Sequence, residues 1–111
     1  MKVSRNLWRA AIGAVVLTVA ILVPASPASA SASGRYNADG VRIRSCPFTT
    51  SSCAILGLGY PNQNVTITCW KPGTTVNGGN IWYYHRNLST GVVGYSTEAY
   101  ITVFSGSIPR C

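Results

Sequence analysis

Acidic side chains and histidine are scarce in this chain. Its 111 residues contain two carboxylate side chains, Asp39 and Glu98, and one histidine, His85. Hydrolytic and acid–base mechanisms need at least two titratable groups held together, and nothing in the spacing of these three residues brings them to one place. We therefore expect no catalytic residue and no enzymatic activity. A minor activity that depends on His85 is the enzymatic alternative.

Long hydrophobic runs are also few. The longest such segment extends from residue 10 to residue 23 and has about 14 residues. An α-helix needs roughly 20 apolar residues to cross a bilayer. A basic segment at residues 2–9 precedes it, and the small-residue pattern Ala28-Ser29-Ala30, typical of a signal peptidase site, follows it. The pattern predicts a secretory signal peptide over residues 1–30 rather than a membrane anchor.

The chain left after cleavage is short enough for one domain only. We expect a flexible start at residues 31–35 and a folded domain over residues 36–111. A domain of this size buries only about 60% of the surface of its unfolded chain, so cross-links are expected to supplement the core. We predict a secreted monomer, extracellular or associated with the cell wall, with no membrane contact after cleavage.

Four cysteines lie outside the signal peptide and allow three pairings. Cys46 and Cys53 flank a turn-rich hexapeptide whose ends can meet, so we pair them, and Cys69 then pairs with Cys111. Export supplies the oxidising compartment that such bridges need. A zinc site with His85 as a ligand is the competing interpretation, but the cysteines do not form C-x₂₋₄-C pairs. We expect no metal and no cofactor.

The charge balance is basic but sparse. Cleavage removes three of the nine basic residues, which leaves six against two acidic ones, a net charge of +4. Nucleic-acid binders usually cluster lysine and arginine on one face, whereas here only Arg42 and Arg44 form a close pair. We therefore expect no nucleic-acid partner. An exported basic protein is more suited to the anionic surface of a cell envelope.

Short alternating runs separated by Gly, Pro, Asn and Ser clusters predict an all-β domain. Val41 and Ile43 alternate with arginines and should face the core. The same pattern predicts that Val65, Ile67 and Cys69 are buried. A loop is expected at residues 71–80, with a strong turn at 77–80. Two strands at 81–86 and 92–96 should follow, joined by a hairpin connection at 87–91, and then a helical turn capped by Thr97 and a last strand at 101–103.

Aromatic side chains are too numerous for so small a core. Alternation along residues 81–86 puts three side chains on each face of that strand. The core face holds Ile81, Tyr83 and His85, and the outer face holds Trp82, Tyr84 and Arg86. Two exposed rings beside a guanidinium suit an extended peptide or a sugar. The alternative is that these rings pack under a neighbouring strand or under the loop before residue 81.

Five motifs follow one another along the chain. They are Val41-Arg42-Ile43-Arg44-Ser45, the turn and strand at residues 59–68, Ile81-Trp82-Tyr83, Gly91-Val92-Val93-Gly94-Tyr95, and Tyr100-Ile101. In this order they resemble a bacterial SH3 domain of the small secreted type, over residues 36–103. The resemblance implies a small SH3-like barrel of five to six short strands, stapled here by the two disulfides. His85 and Ser96 stand where that family generally has aliphatic core residues.

Members of that family often bind peptidoglycan peptides or cross-bridges. The resemblance therefore implies a secreted, non-catalytic binding module for a cell-wall peptide or another extracellular peptide. We expect the ligand surface to consist of Trp82, Tyr84, Arg86, Tyr95 and Tyr100, with Arg86 at ligand carboxylates. The alternative is a secreted effector or inhibitor that contacts another protein through its basic surface and the loop at residues 71–80.

Overall fold

The computed structural model of this protein describes residues 30–111. The expected signal peptide lies outside the described residues, except for its last position. In the described part, no helix has the length and apolar character needed to span a bilayer.

Within residues 30–111, seven strands form one antiparallel sheet. They are β1 (Ala32–Tyr36), β2 (Val41–Arg44), β3 (Ile55–Gly59), β4 (Asn64–Val76), β5 (Gly79–Asn87), β6 (Val93–Thr97) and β7 (Ile101–Gly106). Their order across the sheet is β3-β2-β6-β5-β4-β1-β7. A 3₁₀ turn (Glu98–Tyr100) joins β6 to β7, and the hydroxyl of Thr97 caps it by accepting the Ala99 N–H at 3.3 Å. The all-β prediction is confirmed, with more strands than the five or six expected.

Strand β1 occupies the segment that was expected to be flexible. It pairs with β4 on one side and with β7 on the other. Its side chains alternate, with Ala32, Gly34 and Tyr36 buried between exposed residues. At Gly34 the β7 backbone comes so close that a Cβ would lie 2.5 Å from the carbonyl oxygen of Thr102. Residues 32–36 are therefore part of the sheet, because pairing on both sides outweighs the weak strand preference of glycine.

The expected loop at residues 71–80 is largely strand. Strand β4 continues to Val76, and β5 begins at Gly79. Between them Asn77 and Gly78 both have positive φ, 51° and 86°, as a type I′ hairpin turn requires. The turn at residues 77–80 is thus confirmed, while the proline and glycine before it lie within a register irregularity of β4.

The sheet curls around one core. Four strands lie between β3 and β1 in the sheet order, yet the ring of Tyr36 lies against Gly59 and leaves no room for a Cβ there. The buried cluster consists of Ala32, Tyr36, Val41, Ile43, Val65, Ile67 and Ile101. The inward positions predicted for strands β2 and β4 are therefore confirmed for Val41, Ile43, Val65 and Ile67.

Both predicted disulfides are present, Cys46–Cys53 and Cys69–Cys111. The second one holds the C-terminal tail beside β4. There the N–H of Trp70 donates to the Pro109 carbonyl at 2.9 Å, and the N–H of Cys111 donates to the Trp70 carbonyl at 2.8 Å. Because all four cysteines are in disulfides, none provides the thiolate that the zinc alternative requires.

The two polar residues expected at core positions are both hydrogen-bonded. Ser96 donates to the carbonyl of Arg42 at 2.8 Å, which ties β6 to β2. The Nδ1 of His85 lies 3.0 Å from the carbonyl of Tyr83, so Nδ1 must carry the proton and donate. Its Nε2 then accepts the hydroxyl proton of Tyr36 at 2.9 Å. Burial lowers the pKa of His85 and raises that of Tyr36, so the neutral forms of both are favoured.

Candidate functional site

Trp82 lies on the outer face of β5, as the alternation predicted, but it is only 2% exposed. Its Nε1–H donates to the carbonyl of Thr74 at 2.8 Å. The segment that carries Thr74 is held in turn by the short disulfide loop, because the N–H of Thr74 donates to the Pro47 carbonyl at 3.1 Å. The N–H of Thr49 also donates to the Thr74 hydroxyl at 3.2 Å. The expectation of an exposed Trp82 ring is therefore wrong, and the covered alternative applies to it.

A cleft of about 410 Å³ opens beside this covered ring. We call it the Trp82 cleft. Its polar lining comes from Asp39, Arg42, Arg44, Thr49 and Thr97, and its apolar lining from Ala38, Val41, Val76, Trp82 and Tyr100, with Gly40 between them. The cleft thus combines two guanidinium groups, one carboxylate and two aromatic rings.

The two arginines reach the cleft because they alternate with core residues of β2. Val41 and Ile43 point inward, so Arg42 and Arg44 project from the opposite face. Arg44 is half-buried, and its Nη1 donates to the carbonyl of Cys53 at 3.2 Å. Arg42 is exposed. The disulfide loop therefore positions one guanidinium, while the other is open to solvent.

Tyr84 and Tyr95 form a second feature on the same face. They are cross-strand partners in β5 and β6, with ring centroids 5.0 Å apart and planes inclined by 51°. Both are half-exposed, and the Lys71 ammonium lies 5.9 Å from the Tyr95 centroid. Tyr95 is also the cross-strand partner of Arg44. We call Tyr84 and Tyr95 the tyrosine pair, and Arg44 connects it to the Trp82 cleft.

The structure therefore divides the five predicted site residues into three places. Trp82 and Tyr100 line the cleft, and Tyr84 and Tyr95 form the adjacent pair. Arg86 is exposed two positions beyond Tyr84, opposite Val93, and it does not line the cleft.

The sequence identifies Arg42 and Arg44 as a charged pair but does not indicate that they line a cleft beside Trp82. Their alternation with Val41 and Ile43 showed that they lie outside the core. It did not show that β6 follows β2 in the sheet, which is what brings these arginines beside Trp82 on β5.

The titratable residues considered for catalysis occupy different surroundings. His85 is buried and has both ring nitrogens in hydrogen bonds. Asp39 is exposed at the cleft. Glu98 lies at the start of the 3₁₀ turn, where its charge contributes to the raised pKa of Tyr83, a shift that comes mainly from burial. The cleft itself offers hydrogen-bond donors, a carboxylate and rings, which are groups that bind and orient a ligand.

No family model, no curated protein and no solved structure matches this chain. The resemblance to bacterial SH3 domains therefore stays a prediction from the motifs.

Proposed function

We propose that this protein is a secreted binding module that holds a peptide with a free carboxylate in the Trp82 cleft. The observation that carries this proposal is the juxtaposition of Arg42 and Arg44 with the rings of Trp82 and Tyr100 around one cavity. Guanidinium groups form paired, charge-assisted hydrogen bonds with carboxylates. The half-exposed Tyr100 ring adds contact area at low entropic cost, and the covered Trp82 ring, 2% exposed, forms part of the cleft wall. Together they suit a short peptide that ends in, or carries, a carboxylate.

Three further features support this ligand class and an extracellular setting. Both disulfides are typical of proteins that fold outside the reducing cytosol. The motifs resemble a family whose members bind peptidoglycan peptides, and such peptides carry free carboxyl groups. The positive net charge would favour the encounter with an anionic cell envelope.

Fluorescence of Trp82 offers a direct test. A Trp70→Phe variant leaves Trp82 as the only tryptophan in residues 30–111, so a ligand in the cleft should change its emission. The probes are a short peptide with a free carboxyl terminus and the same peptide with an amidated terminus. We expect the amide to bind about tenfold or more weakly, as is usual when a charge-assisted hydrogen bond is lost.

Matched variants locate the site. Arg42→Ala removes an exposed guanidinium from the cleft and should weaken binding by a similar factor. Arg86→Ala removes an exposed guanidinium from the same face outside the cleft and should leave binding unchanged. Purified peptidoglycan should retain Arg86→Ala as well as the parent protein. It should retain Arg42→Ala and Tyr100→Ala less well. If the parent protein, Arg42→Ala and Tyr100→Ala bind equally, the cleft is not the ligand-binding site.

A further inference from the structure

Strand β3 is an edge strand of the sheet. Within residues 30–111 it pairs with β2 alone. Residues 54–60, which include the strand, contain no charged residue and no proline. Three aliphatic side chains of the strand are about half exposed, Ile55 at 51%, Leu56 at 49% and Leu58 at 42%. Edge strands in natural proteins usually carry charges, prolines or β-bulges that hinder pairing with another strand. Strand β3 has neither charge nor proline, and its one irregularity is the register shift at Leu56, between the paired Ile55 and Gly57.

The opposite edge, β7, carries one exposed aliphatic side chain, Val103, and one exposed ring, Phe104. Phe104 is 53% exposed, and the Arg35 guanidinium lies 5.4 Å from its ring centroid. After Gly106 the chain turns back across β1, where the N–H of Ser107 donates to the Ser31 carbonyl at 3.2 Å. Strand β7 also lacks charge and proline, so β3 differs from it in its three exposed aliphatic side chains and in the two arginines on the neighbouring strand.

Positive charge lies directly beside the β3 edge. Arg42 is the cross-strand partner of Leu58, and Arg44 is the cross-strand partner of Ile55. Cross-strand partners project from the same face of a sheet, and long side chains reach their diagonal neighbours as well. A strand added beyond β3 would lie about 10 Å from β2, so long side chains on one of its faces would meet the guanidinium groups above Ile55 and Leu58. Acidic residues are the complement of this face.

We propose that the β3 edge binds an extended segment of a partner protein by strand addition. The segment alternates acidic and aliphatic residues, with its acidic side chains on the face of Arg42 and Arg44. Main-chain hydrogen bonds to β3 supply affinity, and the alternating side chains supply specificity. A second copy of this chain is a poorer occupant, because symmetric pairing would bring two sets of the same arginines to one surface with no carboxylates opposite them.

This inference does not rest on the function proposed for the Trp82 cleft. Both ligands would contact Arg42 and Arg44, but only the β3 ligand pairs with the strand backbone, and only the cleft ligand contacts the Tyr100 ring. The Tyr100→Ala variant separates the two, since it should weaken cleft binding and leave strand addition unchanged.

The test uses a fluorescein-labelled heptapeptide of alternating glutamate and valine, titrated with the purified protein and followed by fluorescence anisotropy. Leu58→Glu places a carboxylate on the exposed edge and should weaken binding at least tenfold. Phe104→Glu makes the same change on the opposite edge and should leave binding unchanged. A lysine–valine peptide of the same length should bind at least tenfold more weakly than the glutamate–valine peptide.

Backbone methylation gives the sharpest criterion. In a two-stranded pairing, alternate peptide nitrogens of the added strand face its partner. We prepare two peptides, each N-methylated on one of the two alternating sets of nitrogens. One should lose binding and the other should retain it. Equal affinities would exclude strand addition.

Other results would also overturn the proposal. If the Glu-Val peptide loses affinity in Tyr100→Ala but not in Leu58→Glu, it lies in the cleft, and the inference about β3 fails while the cleft function stands. A different set of results would assign the edge to a second copy of this chain. In that case the protein self-associates, the Leu58→Glu variant does not, and neither peptide binds. Urea unfolding of Leu58→Glu and Phe104→Glu verifies that both variants are folded.

Discussion

Acidification from pH 7.5 to pH 5 should destabilise this fold through a single side chain, His85. The imidazole is 1% exposed. Its Nδ1–H donates to the Tyr83 carbonyl and its Nε2 accepts from the Tyr36 hydroxyl. Only a neutral imidazole can donate one of these hydrogen bonds and accept the other. A second proton, on Nε2, would replace the acceptor with a donor and bury a charge.

The sign and the size of the effect follow from the lowered pKa of His85. Above about pH 7 the imidazole is neutral in both the folded and the unfolded chain, so the full stability is present. Below the ordinary histidine pKa of about 6.5, the unfolded chain takes up a proton that the folded chain does not. The free energy of unfolding then falls by up to about 1.4 kcal/mol per pH unit. This loss ends where folded His85 itself becomes protonated.

Urea unfolding at several pH values between 7.5 and 5, followed by tryptophan fluorescence, measures this slope. The chain has no other histidine, so comparison with a variant that does not titrate at position 85 isolates the contribution of this side chain. The control is His85→Gln, whose neutral amide does not titrate and can replace at most one of the two hydrogen bonds. We expect it to be less stable at pH 7.5 and nearly independent of pH. A flat profile in the parent protein, or an unchanged slope in His85→Gln, would show that protonation of His85 does not control the stability.

Two further predictions concern stability. Replacing Cys69 and Cys111 by serine opens the bridge with a sequence separation of 42 and should lower the free energy of unfolding by about 4 kcal/mol. The Cys46–Cys53 bridge, with a separation of 7, should contribute only about 2.5 kcal/mol, so the reverse order in urea unfolding would contradict the chain-entropy estimate. Gly59→Ala should lose about 1–3 kcal/mol by the same measurement, because the Tyr36 ring leaves no space for a methyl group.

The sequence predicted those parts of the fold that depend on local pattern. Alternation identified the inward residues of β2 and the inward His85 of β5, and the Asn77-Gly78 turn followed from the left-handed preference of its residues. Strand β1 was missed because its residues have weak strand preference and no clear apolar pattern. Its state is decided by β4 and β7, which flank it from distant parts of the chain.

The sequence predicted which face of the sheet carries the candidate site, but it did not predict how deeply each side chain is buried. Alternation placed Trp82 and Tyr84 on the correct face, and the structure leaves Tyr84 half-exposed but buries Trp82. The difference arises from the disulfide loop, whose Pro47 carbonyl holds the β4 segment over one ring and not over the other. Contacts between residues some 25 to 35 positions apart cannot be read from a period of two. The same loop positions Arg44 through the Cys53 carbonyl, so it creates the cleft as well as the cover.

Tyr36 explains why a histidine occupies a position where an aliphatic side chain would be expected. Its ring packs on Gly59 of β3 and its hydroxyl reaches His85 of β5, so one residue of β1 contacts two strands across the curled sheet. A buried hydroxyl without a partner would cost about 1–3 kcal/mol. An aliphatic residue at position 85 would leave that hydroxyl unpaired, and a phenylalanine at position 36 would leave the His85 Nε2 unpaired. The two polar residues therefore belong together, and neither is interpretable from its own segment of the sequence.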